Sequence, residues 1–307
     1  MLVKEAIGLG KTLLAPVAGE DARLEAEALL RSVLGLTRAQ LYARLNDEVP
    51  PPARDRFRAL VDRRQAHEPI SYLRGHKEFY GLAFRTDPRA LIPRPETELL
   101  VELALAAARR RLSPDSLKGG LRPPLLTEAE LTIADVGTGC GCIAVALATH
   151  LPQARVYAID VSPAALDLAR ENAAAHSLTD RITFLHGDLL APLPVPVDLV
   201  VANLPYVTAA ELAELPPDIA AFEPGEALDG GPDGLDHIRR LLAAAPDHLR
   251  PGGAVLLEIG WQQGQAVAAL AREHFPVARV TLHQDYGGRN RVVSVEDSGT
   301  LPTDHQE

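Results

Sequence analysis

The sequence predicts an α/β protein: a seven-stranded, mostly parallel sheet with helices on both faces, preceded by a small helical domain. Three observations carry this reading. Strand and helix patterns alternate from residue 131 onward, as parallel sheets require. Residues 1–74 show helical spacing and no strand pattern. The residues with chemical character fall where strands of the second region end, and sheets of this kind bind ligands there.

The elements follow in order. Leu24, Ala28, Leu29 and Val33 recur at helical spacing, and Gly35 is placed to end that helix. Thr37 and Gln40 form a capping box that opens a short helix through Leu45. After Pro50-Pro51-Pro52, the residues Phe57, Leu60 and Val61 give a third apolar stripe. Phe79, Tyr80, Leu82, Phe84 and Leu91 alternate with polar or turn residues, predicting a β-hairpin linker over 75–94. Pro95 opens a helix through Leu112 and begins a second domain over 95–296. Gly119-Gly120 and Pro123-Pro124 mark 113–130 as a surface loop. Strands are predicted at Leu131–Val136, Arg155–Asp160, Ile182–His186, Asp198–Ala202, Ala254–Ile259, Arg279–Gln284 and Arg291–Glu296. Helices are predicted at Gly141–His150, Pro163–Ala175, Leu235–Leu249 and Gly264–His274. Residues 297–307 are polar and read as a flexible tail.

Composition narrows the function. The 31 basic and 41 acidic residues leave a net charge of −10, which argues against direct nucleic-acid binding because phosphates demand a basic face. Aromatics are only 4% of the chain, so the core must be aliphatic. No apolar run reaches the ~20 residues of a membrane-spanning helix, and the N-terminus lacks a signal-peptide pattern. A cytoplasmic protein, a monomer without membrane contact, is expected. Cys140 and Cys142 lie two apart, too close for an ordinary disulfide framework, and have no clustered partners for zinc. His176, His186 and His283 are scattered, so no metal site is expected.

The first strand of the α/β region ends in Gly137-Thr138-Gly139-Cys140-Gly141. Alternate glycines let the backbone turn sharply and approach a ligand, and a helix N-terminus follows. Asp160 closes the next strand, where a carboxylate can accept from both hydroxyls of a ribose. The fourth strand ends in Asn203-Leu204-Pro205-Tyr206. A planar amide nitrogen is a poor nucleophile because its lone pair is delocalised. A carboxamide oxygen and a backbone carbonyl that accept both of its N–H bonds would align it and stabilise the positive charge it develops. An aromatic ring would hold the planar group by its face.

The glycine loop resembles motif I of the S-adenosylmethionine-dependent methyltransferases of Rossmann-like fold. That resemblance implies S-adenosylmethionine as cofactor, with Gly137, Thr138, Gly139, Cys140 and Gly141 lining its methionine and ribose parts. It places Asp160 on the ribose, Asp188 and Leu189 beside the adenine, and Asn203 near the methyl. The tetrapeptide resembles the N-P-P-Y motif of enzymes that methylate amide or exocyclic amino nitrogens. Asn203, the Leu204 carbonyl, Pro205 and Tyr206 take the catalytic and substrate-binding roles by that resemblance. Leu204 replaces the usual Pro but keeps the carbonyl, and Pro205 still biases it toward extended geometry. N-L-P-Y is also the form found in ribosomal RNA adenine dimethyltransferases.

Further segments separate those readings. Leu91-Ile-Pro93-Arg94-Pro95-Glu96-Thr97-Glu98 and Glu223-Pro224 with Gly230-Gly231-x-Asp233-Gly234 resemble the release-factor glutamine methyltransferases. So do Leu257-Glu258-Ile259-Gly260, Gly288-Arg289-x-Arg291, Pro69-Ile-x-Tyr72-x-x-Gly75 and the helical N-terminal part. That family methylates the Gln side chain of the Gly-Gly-Gln tip of class 1 peptide chain release factors, and direct SN2 transfer is the expected mechanism. Arg94 and Glu223 are candidates for shaping the substrate mouth, with an ion-pair or surface role as the competing reading. Cys140 and Cys142 read as small residues in a tight turn rather than nucleophiles. Trp261 reads as core or interface packing. The rival functions are an adenine N6-methyltransferase on rRNA or DNA, a glutamine methyltransferase acting on a ribosomal protein, and a non-catalytic cofactor-binding protein.

Overall fold

The computed structural model describes residues 1–112 and 131–297, so the loop expected over 113–130 and the tail beyond 297 lie outside the described residues. The chain begins with α1 (Val3–Ala18), α2 (Ala22–Leu34), α3 (Arg38–Ala43), α4 (Pro51–Gln65) and α5 (Ile70–Arg74), followed by β1 (His76–Phe79) and β2 (Leu82–Arg85). It continues through α6 (Thr97–Leu112), β3 (Leu131–Val136), α7 (Cys142–His150), β4 (Ala154–Asp160), α8 (Pro163–Ala175), β5 (Ile182–His186) and β6 (Val197–Ala202). The short α9 (Ala209–Leu212) and α10 (Pro217–Ala220) precede α11 (Asp236–His248), β7 (Leu249–Glu258), α12 (Gly264–His274), β8 (Arg279–Gln284) and β9 (Asn290–Glu296).

Two compact units result. The first comprises Met1–Lys77, Thr86–Pro88 and Leu215–Glu223, and the second comprises Glu78–Arg85, Arg89–Glu214 and Pro224–Glu307. In the first, Ala6, Leu14, Ala26, Leu29, Leu30, Phe57 and Val61 form the buried core of α1, α2 and α4. Gly10 lets these helices approach: a Cβ there would fall 2.8 Å from both Ala26 Cβ and Phe57 Cζ. Arg64, 6% exposed, is neutralised by Glu25 through hydrogen bonds of 2.8 and 3.2 Å. The Thr37 cap forms as the sequence indicates, with the Thr37 hydroxyl accepting from Gln40 N–H and the Gln40 side chain from Thr37 N–H. Leu24 departs from the expected stripe. It is 51% exposed, because α2 packs on Ala22, Ala26, Leu29 and Leu30 instead.

In the hairpin, Tyr80 and Gly81 both adopt positive φ (50° and 73°), the geometry that joins twisted strands in two residues. Phe79 and Phe84 meet edge-on at 6.1 Å and are fully buried. Pro95 does not open α6 directly. The helix starts at Thr97, after Arg94 and Pro95 carbonyls accept from Thr97 and Glu98.

The seven-stranded sheet runs β5-β4-β3-β6-β7-β9-β8, parallel except for β9, which is antiparallel to both neighbours. Each central strand is apolar on both faces. On β6, Leu199 and Val201 join the core that includes residues of α6, α7 and α8, while Val200 and Ala202 join that of α11 and α12. β7 begins at Leu249, ahead of the expected Ala254. Its pairing with β6 shifts register between Val197 and Leu199, and Gly253 permits this, since a Cβ there would sit 2.8 Å from the Arg250 carbonyl. Trp261 is not a core residue: it is 50% exposed, with the Arg289 guanidinium 5.7 Å from its ring. No helix among the described residues is long and apolar enough to cross a membrane.

Candidate active site

Because β3, β4, β5, β6 and β7 run parallel, their carboxyl ends lie along one edge of the sheet. A cleft with about 1030 Å³ of open space, counted out to its mouth, lies there within the second unit. The apolar run of β3 delivers the glycine loop into it. Gly137, Gly139 and Gly141 take φ of 72°, 56° and 81°, values that tolerate no side chain without strain. The N–H groups of Gly137 and Thr138 both reach the Ile159 carbonyl at 2.9 Å, tying the loop to β4.

The three glycines have different neighbours. A Cβ on Gly139 would meet only Ala90, at 3.9 Å, so this backbone is open to the cleft. A Cβ on Gly137 would lie 3.2 Å from Leu204 Cδ2. A Cβ on Gly141 would lie 3.0 Å from Ala169 Cβ and 3.2 Å from Ala169 Cα, so this glycine serves the packing of the loop on α8. Gly141 accordingly lies outside the cleft lining, whereas Gly137, Thr138, Gly139, Cys140, Asp160, Asp188 and Leu189 are within it.

Asp160, at the end of β4, accepts from Gly139 N–H at 2.8 Å and Ser162 N–H at 2.9 Å. Burial raises its carboxyl above the usual carboxylate range despite those bonds. Asp188 is paired with Arg240, and Leu189 is held at φ 46°. Glu226 adds a third carboxylate to the lining. Beneath the loop lies Asp135, fully buried. It accepts from the Thr138 hydroxyl at 2.6 Å and Ala144 N–H at 3.0 Å, while its second oxygen has no partner. Burial pushes its pKa up to about 7. Cys140 and Cys142 are free and buried, and the Cys142 thiol is pushed up by its hydrogen bond with Cys140 and by burial. That is the opposite of an activated nucleophile.

From β6, Asn203, Leu204 and Pro205 line the cleft. Asn203 Nδ2 donates to Thr97 Oγ1 at 3.2 Å, which leaves Asn203 Oδ1 as the free acceptor of its carboxamide. Leu204 is buried, its branch occupying the space that glycine at 137 leaves open. Tyr206 does not line the cleft. Its hydroxyl donates to Glu258 Oε1 at 3.4 Å, and burial raises its pKa. The loop is braced from below. The Tyr206 carbonyl accepts from Gln263 Nε2 at 3.0 Å, and Val207 bonds Leu228 and Gly230. Gly230 and Gly234 are required there, since added Cβ atoms would fall 2.8 Å from the Pro205 carbonyl oxygen and 2.3 Å from that of Tyr206.

Arg94 lines the cleft, whereas Glu223 is 6% exposed and belongs to the first unit. Sequence reasoning assigned no role to Thr97, Asp135 or Glu258. All three stand inside recognisable segments, and their burial at element ends is the signal that only the fold exposes. Glu258 is 1% exposed, and burial pushes its pKa up to about 7.

A glycine loop after β3, an acidic residue closing β4 and an Asn-x-Pro-Tyr turn after β6 define a Rossmann-like methyltransferase. Comparison with known proteins agrees. A family model described as PrmC N-terminal domain matches residues 5–75, and one described as Methyltransferase small domain matches residues 121–215. The release factor glutamine methyltransferase of Moorella thermoacetica is 48% identical over 292 residues, covering 95% of this chain and 97% of the relative. That of Cereibacter sphaeroides is 40% identical over 294 residues, covering 96% and 98%. The solved protein-(glutamine-N5) methyltransferase (release factor-specific) of Alicyclobacillus acidocaldarius is 30% identical and covers 70% of this chain and 99% of that one, with a TM-score of 0.40. The chain belongs to the release factor glutamine methyltransferase family.

Proposed function

We propose that this chain methylates the side-chain amide nitrogen of the Gln in the Gly-Gly-Gln motif of class 1 peptide chain release factors, with S-adenosylmethionine as donor. The observation that carries this reading is the anchoring of Asn203: its amide group is committed to Thr97, so an oxygen acceptor faces the cleft. Asn203 Oδ1 and the Leu204 carbonyl accept the two N–H groups of the target amide. They hold its nitrogen in place and stabilise the positive charge that grows on it. The proton leaves after transfer, when that nitrogen has become acidic, so no dedicated base is required.

S-adenosylmethionine supplies a methyl group activated by a sulfonium centre. The cleft suits such a cation, being lined by Asp160, Asp188 and Glu226 and open at the Gly139 backbone. Gly137, Thr138, Gly139, Cys140, Asp160, Asp188 and Leu189 would hold it. The helical first unit, which contains the residues matched by the N-terminal family model, is assigned to reading the release factor. Family membership and the net charge of −10 both favour a protein substrate over rRNA or DNA.

Asn203→Ala tests the assignment. The variant should lose about 10²–10³ in single-turnover rate, the usual cost of one transition-state acceptor or donor, while calorimetric donor binding persists. The readout is one methyl group of added mass on the Gly-Gly-Gln peptide. Full methylation by the variant, or labelling of rRNA with release factor unlabelled, would defeat the reading.

A further inference from the structure

Four side chains from three segments meet beneath the Asn203 turn. Asn203 Nδ2 donates to Thr97 Oγ1 at 3.2 Å. Thr97, at the start of α6, is 2% exposed, and its own hydroxyl hydrogen-bonds Glu258 at the end of β7. Glu258 Oε1 accepts the Tyr206 hydroxyl at 3.4 Å, and Oε2 has no close partner, so Thr97 is the second donor acting on this carboxylate.

The direction of these bonds is a chemical consequence. An ionised carboxylate only accepts, so it draws the single proton of Thr97 toward itself. Thr97 Oγ1 then has only a lone pair to offer Asn203. A carboxamide that meets a lone pair must present its NH2, and its oxygen is turned to the other side. We infer that Glu258, acting through Thr97, is the positioning group that fixes the orientation of the Asn203 carboxamide and so decides that an acceptor, not a donor, meets the substrate nitrogen. The inference rests on the proposed methylation of glutamine and adds two residues to it. Glu258→Gln keeps the shape but places an NH2 group within reach of Thr97. Thr97 can then turn its proton to Asn203 Oδ1, the amide flips, and an N–H confronts the N–H groups of the substrate.

The experiment compares wild type, Thr97→Ser, Thr97→Val and Glu258→Gln in methyl transfer to a release factor, with donor affinity from calorimetry and folding from thermal melting. Thr97→Val and Glu258→Gln are expected to lose about 10²–10³ in kcat, with the release-factor KM and donor Kd within about threefold of wild type. Thr97→Ser restores the hydroxyl and should recover most of the rate. A merely structural role would lower melting temperature and raise KM and Kd together, with no rescue by Ser. Should Glu258→Gln fail to fold, the Thr97 pair decides alone. Wild-type kcat in Thr97→Val, or a loss confined to KM, overturns the inference while leaving glutamine methylation standing. A wild type that fails to label release factor removes the functional reading and this inference with it.

Discussion

Gly141→Ala isolates the structural part of the glycine loop. Gly141 sits at φ 81°, where an L-residue pays about 1–2 kcal/mol for its Cβ. The new methyl would also stand 3.0 Å from Ala169 Cβ and 3.2 Å from Ala169 Cα. The second contact is backbone of α8, which cannot swing aside, so overpacking adds about 1–3 kcal/mol. The total of about 2–5 kcal/mol corresponds to a fall of roughly 4–20 °C in melting temperature for a domain of this size. Differential scanning calorimetry measures it, with Ala169→Gly in the same chain as the control. That second change should return most of the packing part less about 1 kcal/mol for glycine in a helix, and none of the backbone part. A Gly141→Ala protein melting within 2 °C of wild type would refute the reasoning that this glycine is held by packing.

Two further expectations follow from the same region. Gly139→Ala has open space for its methyl, so it should cost stability only the backbone strain of about 1–2 kcal/mol, yet weaken donor binding by about tenfold or more in calorimetry because the methyl enters the cleft. Asp135 has a folded pKa of about 7 against an ordinary value of 3.8. The folded chain therefore holds a proton that the unfolded chain has released between those values. Its contribution is full below about pH 4 and is lost as pH rises through about 7, so it makes unfolding free energy fall from pH 5 to pH 7. Asp135→Asn should flatten that slope in urea denaturation at pH 5, 6 and 7, and an unchanged slope would assign the effect to other groups.

Much of the α/β region was legible because its apolar runs are bounded by turn residues. Ile182–His186 and Arg279–Gln284 are strands over the expected residues, and Pro163–Ala175 and Gly264–His274 are helices over theirs. Where the reading slipped, the deciding partner lay elsewhere in the chain. Leu24 looks like a core residue until α2 is seen to pack through small alanines against α1. Pro251-Gly252-Gly253 reads as a turn before β7, but a register shift against β6 carries the strand through it. The letters of the site were visible, while the division of labour among its glycines was not. Gly139 and Gly141 look equivalent in sequence, and only Ala169 distinguishes them. Thr97 and Glu258 lie 106 and 55 positions from Asn203, too far for spacing to suggest a shared task.

The order β5-β4-β3-β6-β7-β9-β8 means that the sheet is laid down outward in both directions from the β3–β6 pair. Residues assigned to the methyl donor leave β3, β4 and β5, and those assigned to the acceptor leave β6 and β7. The two wings touch where Leu204 covers Gly137. A lineage can therefore rewrite the acceptor wing, changing what is methylated, while the donor wing is inherited intact. Divergence of substrate then needs edits at two strand ends rather than a new enzyme, with the residue facing Gly137 as the hinge of compatibility between old and new halves.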